Sequence, residues 1–181
     1  LRFHSKAGGG GVIENLWTHG SHEVDAWKTA PLADLIIHIV DRYHAEARIT
    51  MARMENLVAE AVLLEGAEHP GLLTIRDEVS RFCRDFRAHM AMEESCLFPS
   101  LLNPGSGAPA ELMPPLVKLL VDEHHAETGL FLRLRTLNEA HLPADGVRNL
   151  RARLNHCFKV MEKSLQGHIF LETQVLFRRV L

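Results

Sequence analysis

Residues 89–98 read His89-Met90-Ala91-Met92-Glu93-Glu94-Ser95-Cys96-Leu97-Phe98, and residues 168–177 read His168-Ile169-Phe170-Leu171-Glu172-Thr173-Gln174-Val175-Leu176-Phe177. Both are His, three residues, Glu, three residues, Leu-Phe. On a helix, side chains at i and i+4 lie one turn apart on one face, so imidazole and carboxylate can reach a common point. The rest of that face is apolar: Phe82, Phe86 and Leu97 accompany His89 and Glu93, while Leu154, Met161 and Leu165 accompany His168 and Glu172. A carboxylate or imidazole turned into a core costs several kcal/mol unless a partner meets it, and a metal ion is such a partner. A single His-Glu pair at this spacing is ordinary on a helix surface. Two copies inside apolar stripes point to a shared buried site.

Working outward, each motif is preceded by a segment carrying one inward histidine. His44 shares a stripe with Ile37, Val40, Met51 and Val58, and His125 shares one with Val117, Val121 and Leu132. His44 precedes His89 by 45 residues and His125 precedes His168 by 43, so the chain repeats as a helix with His followed by a helix with His-x3-Glu. His124, beside His125, is expected about 100° away and outside the metal-binding set. From Pro31 onward apolar residues recur at intervals of three and four, interrupted at Gly66 to Pro70, Asn103 to Pro115 and Ala140 to Gly146. These breaks predict four helices, at about 32–64, 70–102, 112–139 and 146–179. Short connections make neighbours antiparallel, giving an all-α, up-down-up-down four-helix bundle. Residues 1–30, with the glycine run Gly8 to Gly11, read as a flexible amino-terminal segment or linker, and residues 31–181 as the folded domain.

Composition narrows the partners. A formal charge of −3 offers no basic field for nucleic acid or anionic membranes, and no apolar run is long enough to span a bilayer. Cys83, Cys96 and Cys157 form no CxxC pair, which points to a reducing compartment and makes the cytoplasm the expected location. Twelve histidines against one tyrosine make metal binding the chemistry to pursue. Imidazole plus carboxylate without thiolate fits iron, manganese or zinc, and two shareable carboxylates favour a pair of metals. No Glu is followed three residues later by His, so the Glu-x-x-His signature of ferritin-like di-iron proteins is absent.

From Pro31 to Leu181 the chain resembles the hemerythrin-like, His-His-Glu cation-binding domain of the iron-sulfur cluster repair di-iron proteins, also called repair-of-iron-centres proteins. The residues that carry the likeness are Pro31-Leu32, Leu35-Ile36-Ile37-His38-Ile39, Arg42-Tyr43-His44, His89 to Pro99, His125-x3-Gly129 and His168 to Phe177. The resemblance implies a hemerythrin-like bundle with metal ligands at His44, His69, His89, Glu93, His125, His168 and Glu172. It implies two Fe ions, bridged by both glutamates and by an oxo or hydroxo group. It further implies a role in nitrosative and oxidative stress: binding or reducing nitric oxide, with a nitric oxide reductase-type activity, and supplying iron to proteins with damaged iron-sulfur clusters. Two other readings stand beside this one, a reversible oxygen carrier or sensor like hemerythrin, and a structural bundle with an incidental metal. Family members of full length carry an amino-terminal domain with adjacent cysteines, and nothing before Pro31 resembles it. His69, whose place in the set comes from the resemblance, lies in a turn, so the iron it would hold is expected to be the more labile. Gly129, four residues after His125, is expected to leave room beside the metals for a small ligand.

Overall fold

The computed structural model describes residues 21–103, 109–141 and 149–180. The glycine run Gly8 to Gly11, the central-loop residues Pro104, Gly105 and Gly107, and the break at 142–146 lie outside the described residues. A short helix α1 (Ser21–Thr29) precedes four long ones. Helix α2 covers residues 32–65 as Leu32–His38, a π-helical turn Ile39–His44, and Ala45–Glu65. Helix α3 covers residues 71–102 as Gly71–Met92, a π turn Glu93–Leu97, and Phe98–Leu102. Helix α4 (Met113–His141) follows a 3-10 turn, Ala110–Leu112. Helix α5 covers residues 150–180 as Leu150–Phe170, a π turn Leu171–Leu176, and Phe177–Val180. Asn149 opens α5 at φ 58°, a left-handed conformation that asparagine tolerates better than most residues.

Each long helix packs on its two neighbours around a ring: α2 on α3 and α5, and α4 on α3 and α5. This is the up-down-up-down bundle expected from the short connections. No helix among the described residues is long and apolar enough to cross a membrane.

Two apolar layers fill the interior. One is built on Met54, Phe82, Phe86, Phe131, Phe158 and Met161, the other on Leu35, Ile39, Leu97, Leu120, Leu176 and Phe177. Every long helix crosses from one layer to the other, and at the crossing each turns a polar residue inward: His44, Glu93, His124 and His168. The layers hold these residues out of water from both sides. Full burial of a side chain such as Phe82 contributes ~1.5–3 kcal/mol, and many such residues offset the cost of the polar belt between them.

The structure corrects three expectations. Residues 21–29, placed with the flexible segment, form a helix; Trp27 packs against the second apolar layer and stacks on His38 at 4.5 Å. Ile37, assigned to the inward stripe of His44, is 55% exposed. The cause is the π turn at Ile39–His44, whose extra residue rotates what precedes it, so Leu35, Ile36 and Ile39 face inward instead. Leu132, assigned to the stripe of His125, is also exposed, because α4 turns a different face to the core.

Candidate metal centre

Helix α4 buries Val117, Leu120, His124, Glu127, Phe131, Leu134 and Asn138. Those positions advance by three and four alternately, the interval of a helix stripe facing a bundle axis. His124 is therefore inside, 1% exposed, whereas His125 and Gly129 are exposed. The expectation for this pair is reversed: His124 joins the site and His125 does not. Nothing lies within 4 Å of where a Cβ on Gly129 would stand, and since Gly129 is exposed that open space is solvent, not room beside a metal.

His89, Glu93, His124, His168 and Glu172 are all buried, and each offers a ligand atom within 4.8 Å of every other. His44 adjoins this set; it is fully buried, with Nε2 3.4 Å from both Glu93 Oε2 and His168 Nε2. No thiol among the described residues joins the group. Of the seven residues named from sequence and resemblance, the structure brings together His44, His89, Glu93, His168 and Glu172. It leaves out His125 and His69. His69 is 39% exposed in side chain, and its Nε2 lies 3.7 Å from Glu65 Oε2. It stands at the far end of the bundle: the 18 residues from Gly71 to His89 rise ~27 Å along the helix.

The two glutamates lie at the centre of the cluster. Glu93 Oε1 is 3.1 Å from His89 Nε2 and 3.9 Å from His124 Nε2, while Oε2 is 3.4 Å from the Nε2 atoms of His44 and His168. Glu172 Oε2 approaches His168 Nε2 at 2.8 Å and His124 Nε2 at 3.0 Å. Despite this proximity, both oxygens of Glu93, both of Glu172, and Nε2 of His89 and His124 lack a hydrogen bond of acceptable geometry. Their lone pairs converge without satisfying one another. Buried polar atoms are nearly always hydrogen-bonded, and a cluster of orphans pointing at common space is the arrangement a cation resolves. The donor set of imidazole nitrogen and carboxylate oxygen suits iron.

Hydrogen bonds on the outer sides fix the rings. His44 Nδ1 donates to Glu94 Oε1 at 2.6 Å, and the same oxygen accepts Arg48 Nη2 at 2.6 Å. His89 Nδ1 donates to Glu123 Oε2 at 2.9 Å, with Glu127 Oε1 3.7 Å away. With the proton held at Nδ1, each ring presents Nε2 as a lone pair to the interior. Glu94, Glu123 and Glu127 were not picked out in the sequence. Glu127 alone had a signal there, as a charged residue at a core position of the α4 stripe.

Packing places the two rings nearest α5. Tyr43 lies across Gly167, where a Cβ would run into its Cε1 and stand 2.9 Å from its Cζ. The buried Ser164 hydroxyl donates to the Tyr43 carbonyl at 3.3 Å. His44 and His168, the residues after Tyr43 and Gly167, thereby come to 4.8 Å between ring centroids.

Without a metal the cluster stores protons. Burial pulls the His89 imidazole down, but Glu93 beside it and the Glu127 charge outweigh this and push it up to about 9. His168 also rises well above its usual value, because Glu172 and Glu93 overcome its burial. Burial lowers His124 despite Glu172. Glu93 is pushed up by burial, yet His168, His44 and His89 hold it well below the usual carboxylate range. Burial raises Glu127 to about 7.

Residues 35–180 match the family described as the hemerythrin HHE cation binding domain. The iron-sulfur cluster repair protein DnrN of Neisseria gonorrhoeae is 31% identical over 164 residues, covering 88% of this chain and 98% of the relative. YtfE of Escherichia coli O157:H7, also named an iron-sulfur cluster repair protein, is 30% identical over 160 residues, covering 86% of this chain and 69% of the relative. ScdA of Staphylococcus haemolyticus, named likewise, is 27% identical over 168 residues, covering 92% and 75%. The chain belongs to the hemerythrin HHE cation-binding domain family and, within it, groups with the proteins named for iron-sulfur cluster repair.

Proposed function

We propose that this protein holds two iron ions between its apolar layers and serves the repair of iron-sulfur clusters under nitrosative and oxidative stress. The observation that carries the reading is the set of buried, converging donor atoms on Glu93, Glu172, His89 and His124 that no hydrogen bond satisfies. His44 and His168 would hold one iron and His89 and His124 the other, because each pair faces its own oxygen of Glu93. Glu172 approaches one imidazole of each pair, which supports a shared role for both glutamates. The expected site is thus four imidazoles and two carboxylates, without His69 or His125.

Two ferrous ions bound there supply electrons and coordination positions for small diatomic ligands such as nitric oxide or oxygen. The chain's own part is to orient and to exclude water. Glu94 and Glu123 hold the Nδ1 protons of His44 and His89, which fixes the face each ring offers. The apolar layers keep bulk water from the belt, so electrostatic interactions there are stronger than in solvent. Four imidazoles against two carboxylates would leave a pair of ferrous ions with net positive charge, which favours anionic ligands.

The test is to load the chain with ferrous iron without oxygen, count the metal, and mix it with nitric oxide and, separately, with a protein whose iron-sulfur cluster has been damaged. About two irons per chain are expected, with consumption of nitric oxide or recovery of the damaged cluster. One iron per chain overturns the dinuclear site. Reversible oxygen binding with neither nitric oxide consumption nor cluster recovery would favour the carrier reading.

A further inference from the structure

We propose that the outer carboxylates make the two metal positions electrostatically unequal, with Arg48 as the residue that sets them apart. The inference rests on the dinuclear reading above. Each position has one imidazole backed by a carboxylate and one that is not: Glu94 backs His44 and Glu123 backs His89, while Nδ1 of His168 and of His124 has no hydrogen-bond partner among the described residues. To that extent the halves match.

They differ in what faces the carboxylates. Arg48 Nη2 lies 2.6 Å from the Glu94 oxygen that takes the His44 proton, so Glu94 and Arg48 together carry no net charge. Arg48 comes from the turn after His44 itself, four residues on, and crosses to α3. On the other side, Glu123 pairs with His89 and, among the described residues, with no Lys or Arg. Behind it stands Glu127, 5% exposed in side chain, with Oε2 lacking a hydrogen-bond partner among the described residues. The nearest cation on α4, Lys118, is turned to Asp122 at 3.0 Å. A carboxylate hydrogen-bonded to a ligand imidazole raises the basicity of that ligand and stabilises the higher charge on the metal. Arg48 cancels this effect at the His44 and His168 position, and among the described residues no Lys or Arg pairs with Glu123 to cancel it at the His89 and His124 position. The iron at His44 and His168 is therefore the first to be reduced, and the iron at His89 and His124 keeps the oxidised state longer.

The experiment is a reductive titration of the oxidised, iron-57-loaded chain, followed by Mössbauer spectroscopy. The parent should take up electrons in two separable one-electron steps. Arg48→Gln, which leaves Glu94 uncompensated, should lower the upper step about tenfold in its equilibrium, ~59 mV for one electron, and leave the lower step in place. Arg48→Lys, which keeps the charge, should restore the parent pattern. Glu123→Gln should raise the lower step by a similar factor and spare the upper. Both positions, Arg48 and Glu123, carry partly exposed side chains, and iron content per chain measures whether each variant still holds its site. A single two-electron step in a parent holding two irons overturns the proposal. So does an Arg48→Gln effect on the lower step, or absence of any shift in both variants at full iron content. Fewer than two irons in the parent would instead overturn the reading of the site itself.

Discussion

The substitutions His124→Ala and His125→Ala test the phase of α4, and neighbouring residues make the test sharp. The His124 ring is 1% exposed. It sits 4.7 Å from His89, 5.4 Å from His168 and 6.4 Å from Phe177 between ring centroids. Its Nε2 is 3.0 Å from Glu172 Oε2. Removing it opens a cavity among rings that cannot collapse into the space, and large-to-small changes in such places cost ~2–5 kcal/mol. Here the lost imidazole was itself costly to bury, so about 1–3 kcal/mol is expected in the metal-free protein. Loss of an orienting partner of a metal ligand alone lowers affinity about 10- to 100-fold, and loss of a ligand should do at least as much. His125 is exposed, and its removal should stay within about 0.5 kcal/mol with iron content unchanged. Urea denaturation of the metal-free variants and iron content after loading give both readouts. Iron lost from His125→Ala and kept by His124→Ala would refute the assignment.

Three further outcomes are expected. In the metal-free protein, His89 titrates at about 9 when folded against ~6.5 when unfolded. Its contribution of about 3 kcal/mol is complete below pH ~6.5 and is lost as pH rises through 9, which denaturation measured across that interval will show. Glu127, raised to about 7 by burial, acts in the same direction at lower pH, its contribution being lost as pH rises through 7; stability rising from pH 7 towards 9 would contradict the His89 contribution. Gly167→Ala should destabilise the chain by ~1–3 kcal/mol, against the ~1 kcal/mol gain that helix propensity alone would give, because the new methyl meets the Tyr43 ring; a raised melting temperature would show that the ring simply moves. Glu93→Gln should weaken both irons together, and titration that finds one lost and the other at full affinity would remove its shared role.

Much of the site was legible because two of its pairs obey a local rule. His89 with Glu93 and His168 with Glu172 are fixed to one face by helix geometry, and their apolar neighbours point that face inward. Helix α4 was misread for a reason of the same kind. Val117, Val121 and Leu132 can be joined into a stripe with His125, but Val117, Leu120, Glu127, Phe131 and Leu134 make a longer one that passes through His124. The longer stripe takes in a glutamate, Glu127, which is 4% exposed. Matched spacing could not decide, since either neighbour stands nearly the same distance before His168 as His44 does before His89. His69 was separable by length alone, because twenty residues of mostly helical chain cannot bring it back to His89. Glu94, Arg48 and Glu123 were not legible, since their role depends on which helices adjoin.

The π turns explain why the internal repeat is imperfect and why the polar belt is possible at all. Three of the four long helices carry one, at Ile39–His44, Glu93–Leu97 and Leu171–Leu176, and each includes a residue of the belt: His44, Glu93 or Glu172. A π turn inserts one residue, so the faces before and after it are rotated relative to a continuous helix. In α2 this lets Ile39 face one apolar layer and Ala47 the other, with His44 between them. Helix α4 has no such turn and keeps its three-four alternation throughout, placing His124 by phase alone. The two halves of the chain thus reach equivalent positions by different local means. Glu93 and Glu172, the two buried carboxylates of the belt, come from the two helices whose π turns match, whereas His44 and His124 come from the two that do not. Six polar side chains between two apolar layers are unfavourable for a bundle judged on stability alone, since apolar residues of similar volume would pack there without orphaned atoms. Their placement on four separate helices, each phased to the same level, is the arrangement a shared cation would call for.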